Sequence, residues 1–138
     1  MSRRLSMFIL VTDIVFLAYW TMSLADVVGL ITVPASLMYS DYDQPLVVAW
    51  NWSFFPTDVM FSVSGLLAVR AARKGSPLWL PLAIVSLCFT IIAGLMAISY
   101  WILLFEFDPG WFLPNLALVI WPLFFLPGLI RQAGGQAA

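Results

Sequence analysis

Residues 49–62 read AWNWSFFPTDVMFS, a segment that is apolar enough for lipid and yet contains Asn51, Pro56 and Asp58. Apolar residues on both sides extend it to about 47–69, close to the ~20 residues with which a helix crosses the ~30 Å hydrocarbon core of a bilayer. An aspartate at the centre of such a helix costs on the order of 3 kcal/mol to insert. The chain therefore needs a structural or functional reason to keep this carboxyl.

The composition of the whole chain indicates that its solvent is lipid. Of 138 residues, 63% are hydrophobic and 9% are charged, and the mean hydropathy is +1.01. Soluble domains are about 45–50% apolar and about 25% charged. Three further apolar runs, at about 5–28, 78–104 and 111–130, are also long enough to span a membrane. The sequence therefore predicts an all-α, integral membrane four-helix bundle, with residues 1–138 forming a single transmembrane domain.

The charged residues predict the direction of these four spans. Basic residues occur at the N-terminus, in the second loop and at the C-terminus, and they are Arg3, Arg4, Arg70, Arg73, Lys74 and Arg131. The first and third loops carry Asp41, Asp43, Glu106 and Asp108 instead. The positive-inside rule therefore predicts a multi-pass protein of the cytoplasmic (inner) membrane with both termini cytoplasmic. Since one orientation is so clearly favoured, any homo-oligomer is expected to be parallel.

Several classes of function are excluded or disfavoured by what the chain lacks. Without histidine there is no His-based metal or haem site and no acid–base residue of the usual neutral-pH type. The single cysteine, Cys88, cannot form a disulfide within the chain. The net charge of −1 gives no nucleic-acid footprint. No cofactor and no metal site are predicted, and the bilayer is the one certain partner.

Two aspartates are predicted near the middle of the bilayer. At 1.5 Å per residue, Asp13 lies roughly 14 Å above Arg4 and Asp58 roughly 18 Å above Arg70. Asp26 lies roughly 33 Å above Arg4, close to the outer interface. No lysine or arginine is available at the depth of Asp13 or Asp58, so lipid holds them most cheaply in the protonated form. The alternative is that they are neutral acids that join helices through polar partners, in particular for Asp13.

The polar neighbours of Asp58 predict a ligand- or proton-binding site. Asn51, Asp58 and Ser62 recur at steps of seven and four residues, so they share one face of a helix. Pro56 frees a carbonyl one turn earlier, and the backbone itself then helps to line a polar cavity. The residues predicted to complete the site from the other spans are Asp13, Tyr19, Asp26 and Asn115.

Tryptophans gather where the helices are expected to leave the membrane. Trp50, Trp52, Trp101 and Trp111 fall at the outer ends of spans two to four, which is the pattern of an interfacial aromatic belt. Trp50, Trp52 and Phe55 could instead line the site beside Asp58. Small residues at three- and four-residue steps predict a close-packing face on span three, formed by Ala83, Ser86, Thr90, Gly94 and Ala97.

Residues 45–66, PLVVAWNWSFFPTDVMFSVSGL, in a four-span chain of this length, resemble the YvaD-like family of small bacterial membrane proteins. The resemblance implies a bacterial four-helix membrane protein. It transfers no catalytic residue, because the family has no assigned activity.

Three classes of function are compatible with these residues. The first is binding of a small or lipophilic ligand, or transport coupled to a proton or cation, with Asp58 as the central group. The second is a membrane-embedded isomerase or cyclase in which a protonated aspartate acts as general acid and aromatic faces stabilise a carbocation. The third is a non-catalytic subunit or assembly factor.

Residues 29–40, which include Pro34, are too short to span and could extend the first helix, lie in the interface or re-enter the membrane.

Overall fold

A computed structural model describes residues 1–35, 38–39 and 41–135, and every regular element in those ranges is a helix. The six helices of this described part are α1 (Arg3–Val27), α2 (Pro45–Ser53), α3 (Phe55–Arg73), α4 (Trp79–Leu104), α5 (Pro109–Leu123) and α6 (Leu126–Gly135). The pairs α2–α3 and α5–α6 each form one span, so the described residues contain four helical segments long and apolar enough to cross a membrane. The prediction of an all-α fold with four helices long and apolar enough to span a membrane is confirmed.

Proline sets the position of both breaks within spans. Pro56 is the second residue of α3 and Pro127 the second residue of α6, where the missing N–H does not break a helical hydrogen bond of the new helix. Just before the first break, the Phe54 N–H bonds to the Asn51 carbonyl at 3.1 Å, which tightens the end of α2. Span two is therefore a nine-residue piece followed by a nineteen-residue piece.

The third span, α4, is the centre of the packing. It lies against α3 on one side and against α5 and α6 on another, while α1 packs on α3. The predicted small-residue face is confirmed, because Ala83, Ser86, Thr90, Gly94 and Ala97 are all buried. At Gly94 the approach is so close that a Cβ would lie 2.6 Å from the backbone oxygen of Asn115. Glycine is required there because any side chain would separate α4 from α5.

The bundle has a basic end and an acidic end. The basic end carries the N-terminus, the second loop and the C-terminus with their arginines and lysine, and the acidic end carries the acids of the first and third loops. At the basic end the core is mainly aliphatic, with Leu5, Ile9, Leu80 and Leu87 buried together and Trp121 beside them. Toward the acidic end it is aromatic and includes Trp20, Phe54 and Phe61. Many large apolar side chains on the outer faces of the helices stay exposed, which suits a surface that lipid covers.

The described residues of the first connection do not extend α1, and residues 36, 37 and 40 of the predicted segment 29–40 lie outside the described residues. Helix α1 ends before Gly29, which has a φ of 74°. The Asp26 carboxyl then accepts a hydrogen bond from the Val33 N–H at 2.9 Å and so fixes the path of the chain. Further on, Tyr39 is buried and meets Trp111 edge-on, with ring centroids 5.9 Å apart. Burial raises the pKa of the Tyr39 phenol, which keeps it a neutral hydroxyl.

Candidate functional site

A cavity of about 200 Å³ lies among α1, α2, α3, α4 and α5 in the acidic half of the bundle. We call it the Asp58 cavity. Half of the described residues that line it are aromatic, and the lining consists of Val15, Phe16, Tyr19, Trp20, Tyr39, Trp50, Asn51, Phe54, Asp58, Ala93, Ala97, Trp101, Gly110, Trp111, Pro114 and Asn115. Five of the predicted site residues are therefore brought together: Asp58, Asn51, Tyr19, Asn115 and Trp50.

The Asp58 carboxyl is the one acidic group among the described residues of this lining. It lies in the first turn of α3, where the helix dipole favours negative charge, and it is 4% exposed. Its Oδ2 accepts a hydrogen bond from the Trp20 indole at 2.9 Å. Its Oδ1 has no hydrogen-bond partner within the described structure. Buried polar atoms are usually paired, so this oxygen is a place where the carboxyl can carry a proton.

Trp52 and Phe55 lie behind Trp20, outside the described lining of the cavity. Both pack on Trp20, with ring centroids 5.2 Å and 5.1 Å from its ring, and neither is part of the described lining. They hold the indole that donates to Asp58. The structure thus places Trp52 and Phe55 against Trp20 and outside the described lining of the Asp58 cavity.

Tyr19 and Asn51 form a polar contact between α1 and α2. Their side chains hydrogen-bond to each other, with the Tyr19 Oη 3.2 Å from Oδ1 and 3.1 Å from Nδ2 of Asn51. A second, smaller cavity of about 110 Å³ lies on the far side of this contact, and we call it the Asp26 cavity because that residue lines it. Both cavities share Tyr19, Asn51, Tyr39 and Trp111, so these four side chains form the partition between them.

Asn115 reaches the Asp58 cavity from α5. Its Nδ2 donates to the Trp111 backbone oxygen one turn earlier, at 2.7 Å, which fixes the orientation of the amide. The adjacent backbone oxygen of Asn115 is the atom that approaches Gly94 so closely. The tight contact between α4 and α5 thus fixes the position of the α5 side of the cavity, where Asn115 lies.

Asp13 and Ser62 lie outside the Asp58 cavity. Asp13 is 1% exposed and is packed against Gly65, where a Cβ would overlap its Oδ2 and would lie 2.8 Å from the Ser86 hydroxyl. Gly65 is seven residues beyond Asp58 on α3, a rise of roughly 10 Å toward the basic end. Ser62 is fully buried between these two levels. The structure therefore separates two acids that the sequence analysis placed at similar depth.

Trp20, Tyr39 and Trp101 also line the cavity, although the sequence does not predict any of them as a site residue. As a belt residue Trp101 would face the interface, but it is 3% exposed and lines the cavity. A signal for Trp20 was available, because a buried indole N–H in a lipid-facing segment needs an acceptor, and Asp58 is within reach in an antiparallel neighbour. Tyr39 gave no such signal, since it lies in an irregular segment whose path depends on the hydrogen bond from the Val33 N–H to the Asp26 carboxyl.

Comparison with known proteins places the chain among relatives without an assigned activity. Residues 5–136 match the family model DUF5360, which is described as a family of unknown function. The uncharacterized protein YvaD of Bacillus subtilis (strain 168) is 39% identical over 130 residues, which cover 94% of this chain and 94% of that protein. No solved structure matches the chain. The resemblance predicted from residues 45–66 is confirmed.

Proposed function

The chain belongs to the DUF5360 family, whose function is unknown, and we propose that it binds a small ligand in the Asp58 cavity and carries it across the membrane in a proton-linked step. The observation that supports this most strongly is the unpaired Oδ1 of a carboxyl that lines a cavity in the acidic half of the bundle.

Proton linkage follows from the surroundings of Asp58. All six basic residues lie at the basic end, so no cation of the chain can neutralise a carboxylate at this depth. With the cavity unliganded, the protonated carboxyl is the cheaper state, because burial of an unpaired charge is costly. A ligand that stabilises the carboxylate form of Asp58 displaces the proton from it. A ligand that accepts a hydrogen bond from the protonated carboxyl binds together with the proton.

Access to the cavity would be controlled at its α2 wall. Trp50 and Asn51 are on α2, whereas Asp58 is on α3, and the break at Phe54 separates the two pieces of the span. A small change in direction at Phe54 moves the α2 wall while leaving the carboxyl in place. Discontinuous helices of this kind are a recurring feature of transporter binding sites.

The orientation and the oligomeric state are part of the same proposal. We place both termini in the cytoplasm, so that the acidic end and the Asp26 cavity face outward. Four helices enclose little volume, so a parallel homo-oligomer would provide the rest of a path. Labelling of cysteines introduced at Ser2 and Asp43, in a Cys88→Ser background, with an impermeant maleimide on intact cells would test the direction: Asp43→Cys should react and Ser2→Cys should not.

The cavity favours ligand binding over a lipophilic cyclase. Its volume of about 200 Å³ is below the 300–1,000 Å³ of pockets for drug-sized molecules, so it suits a ligand much smaller than a folded polyisoprenoid. Four aromatic residues are the candidates for stabilising a carbocation: Trp50 and Phe54 line the cavity, while Trp52 and Phe55 pack on Trp20. Proton exchange without bond rearrangement is the simpler chemistry for this geometry.

Proteoliposomes test the proposal. Vesicles that contain the protein and a dye for internal pH would be given a defined mixture of small organic cations, zwitterions and neutral solutes, and accumulation would be measured by mass spectrometry. We expect wild-type vesicles to accumulate at least one solute together with a change in internal pH, and Asp58→Asn vesicles to show neither. The matched control is Asp43→Asn, the same change at an exposed acid outside the cavity lining.

Two results would contradict the proposal. If wild-type vesicles accumulate nothing beyond empty vesicles, transport is excluded for that set of solutes and a subunit or assembly role becomes the better account. If Asp58→Asn accumulates solute and moves protons as wild type does, the carboxyl is structural. A subunit role further predicts that the Asp58→Asn protein still supports its partner in the cell.

A further inference from the structure

The distribution of charge along the bundle favours cations at the Asp58 cavity. Five acids lie at the acidic end, Asp26, Asp41, Asp43, Glu106 and Asp108, and the two remaining acids are buried within the helices. All six basic residues lie at the opposite end. Fixed charges of one sign around an apolar cavity raise the local concentration of the oppositely charged solute. A cation entering from the acidic end is attracted throughout its path to Asp58.

The chemistry of the cavity wall selects the kind of cation. Half of the described lining residues are aromatic, among them Trp50, Trp101 and Trp111, and aromatic rings attract cations through their quadrupoles. The polar groups near the carboxyl are already engaged, since Tyr19 and Asn51 bond to each other. A metal ion would lack the six or more oxygen ligands that hard cations prefer. An organic cation needs only one carboxylate and an apolar, aromatic surround.

The size of the cavity limits the ligand to a small molecule. A volume of about 200 Å³ lies below the range of drug-sized pockets and leaves room for a substituted ammonium group with a short apolar part. Asp58 lines the cavity, so its carboxylate would provide the negative charge for the ammonium group, while the Trp20 indole continues to hold Oδ2.

We propose that the ligand of the Asp58 cavity is a small organic monocation, of the ammonium class, which exchanges with the proton of Asp58. This inference rests on the proposed function and names its substrate class. The exchange is balanced: one monocation enters, the carboxyl O–H bond breaks, the carboxylate pairs with the ammonium group, and one proton leaves to water at the acidic end. The net charge of the cavity is unchanged by the exchange, so its burial cost does not rise.

The source of the proton can be assigned within the described lining. The titratable side chains that face the cavity there are Asp58 on α3, Tyr19 on α1 and Tyr39 in the first connection, and the described lining residues of α2, α4 and α5 have none. A phenol is a far weaker acid than a carboxyl. A proton released near neutral pH on cation binding therefore comes from Asp58.

The test compares two molecules of the same shape, phenyltrimethylammonium and its uncharged carbon isostere tert-butylbenzene. Calorimetric titration of the purified protein in an uncharged maltoside detergent, with protein-free micelles as blank, gives the affinity for each. We expect the cation to bind at least about tenfold more tightly, a difference of about 1.4 kcal/mol. A pH dye in weak buffer should record about one proton released per bound cation, as the exchange requires.

Variants assign the effect to the carboxyl. Asp58→Asn keeps the shape of the side chain and an acceptor for Trp20, and is expected to lose both the preference for the cation and the proton release. Asp58→Glu keeps the acid and should retain proton release, which guards against a loss through misfolding. Asp13→Asn, the same change at a buried acid outside the cavity lining, should change the cation affinity by less than about twofold.

Three outcomes would overturn the inference. If the isostere binds as tightly as the cation, the cavity takes neutral ligands, and the proposed proton-linked function survives without this substrate class. If Asp58→Asn binds the cation as wild type does, the carboxyl does not recognise the charge. If neither molecule binds above the micelle blank, the inference fails and the result also counts against the proposed function.

Discussion

Asp13 and Asp58 are the same residue type, both are almost completely buried, and neither has a basic residue at its depth. What differs is the space beside them. Asp13 is packed against Gly65, Ile9 and Ser86, where even one added methyl group does not fit. Asp58 faces a cavity of about 200 Å³ with aromatic walls.

The comparison shows that burial and the lack of a charge partner do not by themselves identify a functional acid. Each carboxyl leaves one oxygen without a hydrogen-bond partner in the described structure. Asp13 is not part of the described lining of the Asp58 cavity and its carboxyl lies against Gly65 of α3, so the residue belongs to the packing of α1 on α3. At Asp58 a partner can enter. The available volume, not the charge, separates the two roles.

The largest expected difference between the two aspartates is in ligand binding. Asp58→Asn should weaken the binding of phenyltrimethylammonium by at least about tenfold, since it removes the ion pair, and Asp13→Asn should change it by less than about twofold. Calorimetric titration of both variants measures this. If Asp13→Asn proves as harmful while its fold is intact, the two carboxyls act as one unit and the comparison fails.

The second prediction places the same substitution at two positions on α4. Ala83→Leu overpacks the aliphatic core at the basic end and should lower the free energy of unfolding by about 1–3 kcal/mol. Ala97→Leu projects into the Asp58 cavity and should cost less than about 1 kcal/mol while abolishing cation binding. Unfolding in mixed SDS micelles, followed by circular dichroism, gives both values. Equal destabilisation by the two changes would mean that the cavity is not available space.

A third prediction concerns the hydrogen bond at Asp58 that Asp13 lacks. Trp20→Phe keeps an aromatic ring but removes the donor to Oδ2, and should cost about 0.6–1.7 kcal/mol, between the average and the largest value measured for hydrogen bonds between membrane helices. The same SDS titration measures it, with Trp79→Phe at the basic end as control. A loss as large for Trp79→Phe would assign the effect to lost aromatic volume.

The smallest expected effect on stability is at the partition between the two cavities. Tyr19→Phe removes the hydrogen bond to Asn51 at a cost near 0.6 kcal/mol. Because this pair separates the Asp26 and Asp58 cavities, the association rate of the cation should rise while its affinity changes little. Stopped-flow measurement of the proton release would show this. An unchanged rate would indicate that the ligand reaches Asp58 by another path.

The helical architecture could be predicted from the sequence because lipid leaves few choices. Apolar runs of about twenty residues must be helices, and Pro56 accounts for the break in span two. The close-packing face of α4 follows from the spacing of its small residues. These features depend on residues that are neighbours along one helix, which is where sequence periodicity is informative.

The composition of the site could be predicted only in part, because it depends on the alignment of different helices. Asp58, Asn51, Tyr19, Asn115 and Trp50 were identified and do line one cavity. The separation of Asp13 from Asp58 follows from the antiparallel alignment of α1 and α3, which pairs Asp13 with Gly65 and Trp20 with Asp58. No property of either segment alone fixes that alignment.

The hydrogen bond from Trp20 to Asp58 also makes the molecule its own spectroscopic reporter. The emission of an indole responds to the electric field at its ring, and here the field changes when the attached carboxyl gains or loses its proton. The chain has seven tryptophans, so the difference spectrum between wild type and Trp20→Phe isolates this one signal. Protonation of the buried acid can thus be followed optically, without a label, in the intact membrane.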